Sequence, residues 1–379
     1  MISRSDKKEK IVIVVGARPN IMKAAPLMRE LIASRHFTPV LIHTGQHYDM
    51  KMSDVFFKDL NLQKPNVCLG IAYGTHAEQT GKVMIALERE LVHKKPKLVM
   101  VVGDVNSTLA SALTAKKLQI PLAHVEAGLR SYDKTMPEEV NRVLTDHISD
   151  YLFVTEKSGM MNLRKEGINV KKTYLVGNTM IDTLRGNLLA IKRIKVRKKF
   201  GLEMKGYAVL TLHRPANVDS KKNFRSILKA LATIQKELPI IFPVHPRTLK
   251  QIKALGLKRA FQHMKNMVLI EPLGYLEFTS LVSEARMVLT DSGGLQEETT
   301  ELNIPCVTML ETTERPITIK QGTNVIAGND ANKIIYKARK ILSSKTRKKA
   351  VIQYWDGKAA KRIVKILENE KNINRHTNL

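Results

Sequence analysis

The sequence predicts an α/β chain of two doubly wound, Rossmann-like domains facing a cleft. Short apolar runs rich in β-branched residues alternate with helical patterns; the alternation pauses near Gly177 and restarts at Tyr207; and glycine-bearing loops follow several of the runs. A chain of 379 residues exceeds one ordinary core, and its 43% hydrophobic residues suffice to fill two.

In the first half, residues 11–15 form a β-branched run ending at Gly16, followed by Ala17, Arg18, Pro19 and Asn20 and a helical pattern through Leu31. The loop is not G-x-G-x-x-G, so a nicotinamide cofactor is not expected. Arg18 and Lys23 instead place two cations after a buried strand, which suggests anion binding. Further strands are expected at 39–43, 97–102 and 120–125, leading into Thr44-Gly45, Gly103-Asp104 and Glu126-Ala127-Gly128. Apolar throughout and alternating with helices, they describe a parallel sheet covered on both faces, with ligands at its C-terminal strand edge. Pro137 begins a helix with Glu138 and Glu139 in its first turn. Like charges at one rim are costly unless they meet cations or transfer protons, so Asp104, Glu126 and Glu138 form a candidate acid/base set. Residues 174–179 close the sheet, and the boundaries expected are 1–177 for the N-terminal domain, 178–357 for the C-terminal domain, and 358–379 for a helix crossing back to the first.

The second half repeats the pattern, with strands at 207–212, 240–244, 268–270, 287–290 and 306–309 and helices at 222–237, near Gln251 and at 275–285. Its key stretch runs from Val288 to Glu298. A buried strand leads to Ser292, expected to cap the next helix, and to Gly293 and Gly294, whose missing Cβ atoms let a phosphate approach free N–H groups. Glu298, about one turn inside, is placed to accept both hydroxyls of a ribose. His213 follows the 207–212 strand and is expected to face the cleft as a cationic imidazole beside a leaving phosphate. Arg315, in Thr313-Glu314-Arg315-Pro316, adds a cation.

The net charge of +28 raises nucleic-acid binding, but the cations lie in short scattered clusters without interleaved aromatics, so no nucleic-acid partner is expected. No apolar run reaches the ~18 residues of a membrane span, and residues 1–10 carry no apolar signal core, so no membrane partner and a cytoplasmic location are expected. Cys68 and Cys306 each lie in an apolar segment and read as reduced core thiols; no metal is expected.

With these residues in hand, the chain resembles the non-hydrolysing UDP-N-acetylglucosamine 2-epimerases over nearly its whole length. The resemblance rests on Gly16-Ala17-Arg18-Pro19 with Lys23, His43-Thr44-Gly45-Gln46-His47, Gly103-Asp104, His124 through Arg130, Pro137-Glu138-Glu139 with Asn141-Arg142, Thr211 with His213-Arg214, Asp291-Ser292-Gly293-Gly294 with Gln296-Glu297-Glu298, and Thr313-Glu314-Arg315-Pro316. It implies the GT-B arrangement, a homodimer, a UDP-sugar substrate and no cofactor. In the implied reaction a base takes the C2 proton, UDP leaves C1 to give a glycal, and UDP returns after reprotonation on the opposite face. Asp104, Glu126 and Glu138 then match the acid/base carboxylates and His213 the histidine near the leaving UDP. Arg18, Lys23 and Arg315 match cationic substrate contacts, Ser292, Gly293 and Gly294 the diphosphate loop, Glu298 the ribose acid, and Phe278 a residue at the uracil end.

The chain also departs from the family. Leu273 stands where many members have a glutamine contacting the uracil, and Ala17 and Asn20 replace a common threonine and glutamate. Gly16-Ala17-Arg18-Pro19 and Gly103-Asp104-Val105-Asn106-Ser107 also occur in a sister group acting on UDP-2,3-diacetamido-glucuronate. A hydrolysing epimerase releasing ManNAc, a GT-B transferase and a basic RNA-binding protein are the other readings weighed. Gln46, His47 and Gln79 match a second UDP-GlcNAc site of bacterial members, where Asp49 and Glu78 place carboxylates that would repel a diphosphate.

Overall fold

The computed structural model describes residues 8–45, 50–72, 74–344 and 351–369. The chain divides into two compact units, Met1–Gly186 with Gln353–Leu379, and Asn187–Ile352.

The first unit carries β1 (Glu9–Val15), β2 (Phe37–His43), β3 (Val67–Cys68), β4 (Leu98–Val102), β5 (Leu122–Ala127), β6 (Tyr151–Val154) and β7 (Thr173–Leu175). They form one parallel sheet in the order β3-β2-β1-β4-β5-β6-β7. Val12, Ile13, Val99 and Met100 are fully buried because helices cover both faces, which is why these strands read as continuous apolar runs. The order reverses between β1 and β4, so the loops leaving these strands diverge and open a crevice at their C-terminal ends. Helix Asn106–Lys117 is buried along most of its length, between helices His76–Lys94 and Pro137–Ile148; its Ala, Ser and Thr residues suit that confinement.

Residues after 353 complete this unit. Asp182 accepts the backbone N–H groups of Ala359 and Ala360 at 3.1 and 2.7 Å, which satisfies the start of helix Ala359–Asn369. That helix packs on helix Arg18–Ala33, and Ser34 donates to Glu368 at 2.6 Å. Gly177, at φ 93°, lies so close to Tyr354 that a Cβ would stand 2.2 Å from the Tyr354 carbonyl oxygen.

The second unit repeats the winding with β8 (Ala208–Thr211), β9 (Ile240–Pro243), β10 (Met267–Ile270), β11 (Met287–Thr290), β12 (Cys306–Thr308) and β13 (Asn324–Ile326). Its parallel order is β10-β9-β8-β11-β12-β13, with the reversal between β8 and β11. Phe224, Phe242, Ile227 and Ile334 belong to the core on one face.

Three strands escape the sequence reading, β3, β6 and β13, because two to four residues carry little periodicity. Cys68 is corrected: it lies exposed on the two-residue edge strand β3, whereas Cys306 is buried and its thiol is pushed up to about 11 by that burial. Among the described residues no helix is long and apolar enough to cross a membrane, and no group of three His, Cys, Asp or Glu side chains is arranged to hold a metal ion.

Candidate active site

In the first unit the loops at the β1/β4 reversal are tied together by side chains. Asn20 accepts the Ala17 N–H at 2.9 Å and donates to the Val102 carbonyl at 2.7 Å, joining the start of helix Arg18–Ala33 to the end of β4. Lys23, one turn further and buried, forms an ion pair with Glu126 at the end of β5. Gly103 makes this convergence possible: at φ 71°, a Cβ there would stand 2.9 Å from Asn20 Nδ2 and 3.5 Å from both Glu126 Oε2 and Lys23 Nζ.

Asp104 follows directly. Its Oδ2 accepts from Arg142 Nη2 at 2.5 Å, and its carbonyl accepts from Asn141 Nδ2 at 2.9 Å. Arg142 is held in turn by Glu139, which also accepts the N–H groups of Ser131 and Tyr132 at 2.9 and 2.8 Å. Glu138 sits half-buried on the same helix, one residue before Glu139. The two carboxylates Asp104 and Glu126 thus each meet one cation, Arg142 and Lys23, which offsets the cost of placing both at one rim. Glu126 adopts φ 79°, and the β5/β6 register shifts between Val125 and Ala127. For a residue with a side chain such a conformation costs about 1–3 kcal/mol and persists only where the surroundings over-determine it. Arg18 is half-buried, its guanidinium 5.6 Å from the centre of the Phe56 ring.

In the second unit Asp291 ties the β8 loop to the β11 loop. Fully buried, it accepts the backbone N–H groups of His213 and Arg214 at 3.0 and 2.8 Å, and its Oδ1 lies 3.2 Å from His213 Nδ1. The His213 ring packs on His245, centroids 5.6 Å apart. Burial lowers the pKa of His213, Asp291 opposes, and Arg214 and Arg247 lower it further. The expected role, a cationic imidazole beside a leaving phosphate, concerns the occupied site; in the free protein burial is the largest influence on the ring and disfavours its charged form.

One expectation for the glycine loop is corrected. Ser292 occupies the N-cap position of helix Gly293–Glu301, but its side chain makes no capping bond; its own N–H donates to Thr290 Oγ1 at 2.9 Å. The room left by the missing Cβ of Gly293 is taken by Arg315, whose Nη1 would lie 2.5 Å from such an atom. The glycine brings a guanidinium to the helix N-terminus, and Gly294 beside it is half-buried. Arg315 is held by Glu297, Nε to Oε1 2.9 Å, and by Glu314. Thr313 accepts the Arg315 N–H at 3.1 Å and donates to Gln296 at 2.6 Å, which locks this loop onto the helix.

Glu298 is buried, with the Tyr275 hydroxyl as its hydrogen-bonding neighbour. Burial pushes its carboxyl up to about 7; the Tyr275 hydroxyl opposes the shift and Glu297 adds to it. A buried carboxylate with few donors is costly, and a ligand's hydroxyls would add to the one that Tyr275 offers. Phe278, half-buried, packs with Leu273 against the core built by Tyr207, Leu281 and Leu295.

A family model described as UDP-N-acetylglucosamine 2-epimerase matches residues 29–368. The chain belongs to that family. It is 45% identical over 372 residues to the UDP-N-acetylglucosamine 2-epimerase of Methanococcus maripaludis, covering 96% of this chain and 99% of the relative. It is 39% identical over 360 residues to the UDP-2,3-diacetamido-2,3-dideoxy-D-glucuronate 2-epimerase of Pseudomonas aeruginosa, covering 94% and 99%. Among solved structures it matches the Methanocaldococcus jannaschii UDP-GlcNAc 2-epimerase in complex with UDP-GlcNAc and UDP, with TM-score 0.89, 43% identity and coverage of 95% and 99%. The α/β architecture of two doubly wound units is thus that of the epimerase family, of GT-B type.

Several features of this 2-epimerase family member were not anticipated from sequence. Asp146, His245 and Tyr275 carry no motif of their own. The departure at Asn20 has a structural role, since its two bonds join the first loop to β4. Glu78 accepts the Thr75 N–H at 2.8 Å and caps helix His76–Lys94. Gln79 accepts from Asn106 at 3.0 Å, while Gln46, His47 and Asp49 lie outside the described residues.

Proposed function

We propose that the protein interconverts UDP-GlcNAc and UDP-ManNAc by epimerisation at C2, through elimination and re-addition of UDP by way of a glycal. The observation that carries the reading is the pair of carboxylates Asp104, just after β4, and Glu126, at the end of β5, each beside a cation. Epimerisation needs a base on one face of C2 and an acid on the other, and carboxylates poised by neighbouring cations suit both tasks. Glu138 is the third member of the set.

The second unit holds the nucleotide in this reading. Glu298 accepts the ribose hydroxyls, Arg315 and the first N–H groups of helix Gly293–Glu301 meet the diphosphate, and Phe278 and Leu273 flank the uracil. An arriving diphosphate favours the charged form of His213, which burial alone disfavours, and the cation stabilises UDP as it leaves C1. Arg18 and Lys23 supply further positive charge. The relative acting on UDP-2,3-diacetamido-2,3-dideoxy-D-glucuronate, together with the shared loop forms at Gly16 and Gly103, favours that sugar as the second reading.

The protein acts as a homodimer in this account. Helix Pro137–Ile148 turns Glu139, Arg142 and Asp146 inward and leaves Val140 and Leu144 exposed, while helix His76–Lys94 exposes Ile85 and Val92. Such inverted polarity suits a face covered by a second copy.

In deuterium oxide, UDP-GlcNAc and UDP-ManNAc are expected to equilibrate from either side, each acquiring deuterium at C2, without added NAD or divalent metal; NMR of the sugar reads the outcome. Free ManNAc as the main stable product, or epimerisation with the C2 hydrogen retained, overturns the reading.

A further inference from the structure

We propose that Asp146 is a positioning residue for both Asp104 and Glu126, one buried carboxylate setting where the two proton-transfer groups stand. The proposal rests on the acid/base reading above.

Asp146 lies in helix Pro137–Ile148 and is fully buried. One oxygen reaches the loop of Asp104. His124 Nδ1 donates to Asp146 Oδ1 at 2.7 Å, and the opposite ring nitrogen, Nε2, donates to the Gly103 carbonyl at 2.9 Å, one residue before Asp104. A ring protonated at both nitrogens satisfies both acceptors at once. The other oxygen reaches the loop of Glu126: Asp146 Oδ2 accepts the Gly128 N–H at 3.0 Å, two residues beyond Glu126. Arg130 Nη1 approaches the same oxygen at 2.7 Å and donates to the Leu129 carbonyl at 2.7 Å, while its Nε and Nη2 bond Glu166 at 2.7 and 2.6 Å.

The backbone at these points is unusual. Gly103, Glu126 and Gly128 all have positive φ, at 71°, 79° and 81°. Two backbone segments, one leading into Asp104 and one leading out of the strained Glu126, are thus pinned to the same side chain. Burial alone would raise the pKa of Asp146, but His124 and Arg130 outweigh it and hold the group ionised. A buried charged cluster is a poor way to gain stability compared with apolar packing, whereas it is a good way to specify one geometry.

The test uses the full chain with UDP-GlcNAc and two variants. Asp146→Asn keeps the volume and removes one acceptor; His124→Asn keeps a donor toward Asp146 and loses the reach to Gly103. Misplacing a reacting group by an ångström costs up to about 100-fold, so Asp146→Asn is expected to lower the single-turnover rate by about 10- to 100-fold. His124→Asn, which releases only the Asp104 loop, is expected to lose less. In both, KM and UDP affinity stay within about threefold, and calorimetry gives the wild-type UDP stoichiometry, because ground-state binding is untouched. Wild-type turnover in both variants overturns the proposal, as does a loss of rate that merely matches a loss of UDP-binding protein. If Asp146→Asn does not fold, His124→Asn decides alone, and wild-type turnover there overturns the proposal. Parallel assays of Asp104→Asn and Glu126→Gln separate the two levels: if these also retain turnover, the acid/base reading has failed; if they alone are inactive, only the positioning role has.

Discussion

Asp104→Asn and Glu126→Gln are each expected to cut epimerase turnover by roughly 100-fold or more while UDP still binds. Both replacements preserve shape and hydrogen-bond reach but remove a group able to carry a proton. Each also takes one negative charge from beside a cation, Arg142 in the first variant and Lys23 in the second. Because UDP is held by residues of the second unit in this account, its affinity serves as an internal control. Steady-state rates and calorimetric UDP affinities on the same preparations check the pair. Turnover within tenfold of wild type in either variant removes that carboxylate from the reaction.

Glu298 gives the second large effect, and it is a pH effect. Its carboxyl is pushed up to about 7 from an ordinary value of 4.5. Between those values the folded chain binds more protons than the unfolded chain, so stability falls as pH rises. The contribution is fully present below 4.5 and is lost on passing through 7, a change on the order of 3 kcal/mol. Ribose hydroxyls donating to the carboxylate favour its ionised form. UDP binding near pH 6.5 is therefore expected to expel a proton, and UDP affinity to rise with pH up to about 7 and then level. Calorimetry in buffers of different ionisation enthalpy reads the proton directly. Glu298→Gln should abolish the pH dependence from this group, and Glu298→Ala should weaken UDP by about 10-fold or more through loss of a hydrogen bond to a charged group. Unchanged UDP affinity in Glu298→Ala contradicts the ribose assignment.

Much of the fold was legible because both sheets are buried on both faces, which makes β1, β4 and β11 continuous apolar runs that end in glycine loops. The positions of Asp104 and Glu126 at strand ends followed from the same logic. The supports of the site were less visible. Glu139, Arg142 and Asp146 recur at helical spacing on the inward face of one helix, but a hydrophobic period cannot register a face that is charged. Arg315 against Gly293 is a contact across 22 positions of sequence, and no local rule tells whether a missing Cβ admits a phosphate or a guanidinium. The lowered pKa of His213 depends on its burial near Arg214 and Arg247, of which Arg247 comes from the helix after a different strand. Cys68 misled because an apolar neighbourhood in sequence became a sheet edge in space.

The account turns on cleavage of the bond between C1 and the diphosphate during epimerisation. UDP-GlcNAc carrying oxygen-18 in the bridge between C1 and the β-phosphorus tests this directly. If UDP departs and returns, the freed β-phosphate rotates, and the label is expected to spread into the non-bridging positions on the timescale of epimerisation, as read by phosphorus NMR. Interconversion of the two epimers with the label retained wholly in the bridge would contradict it.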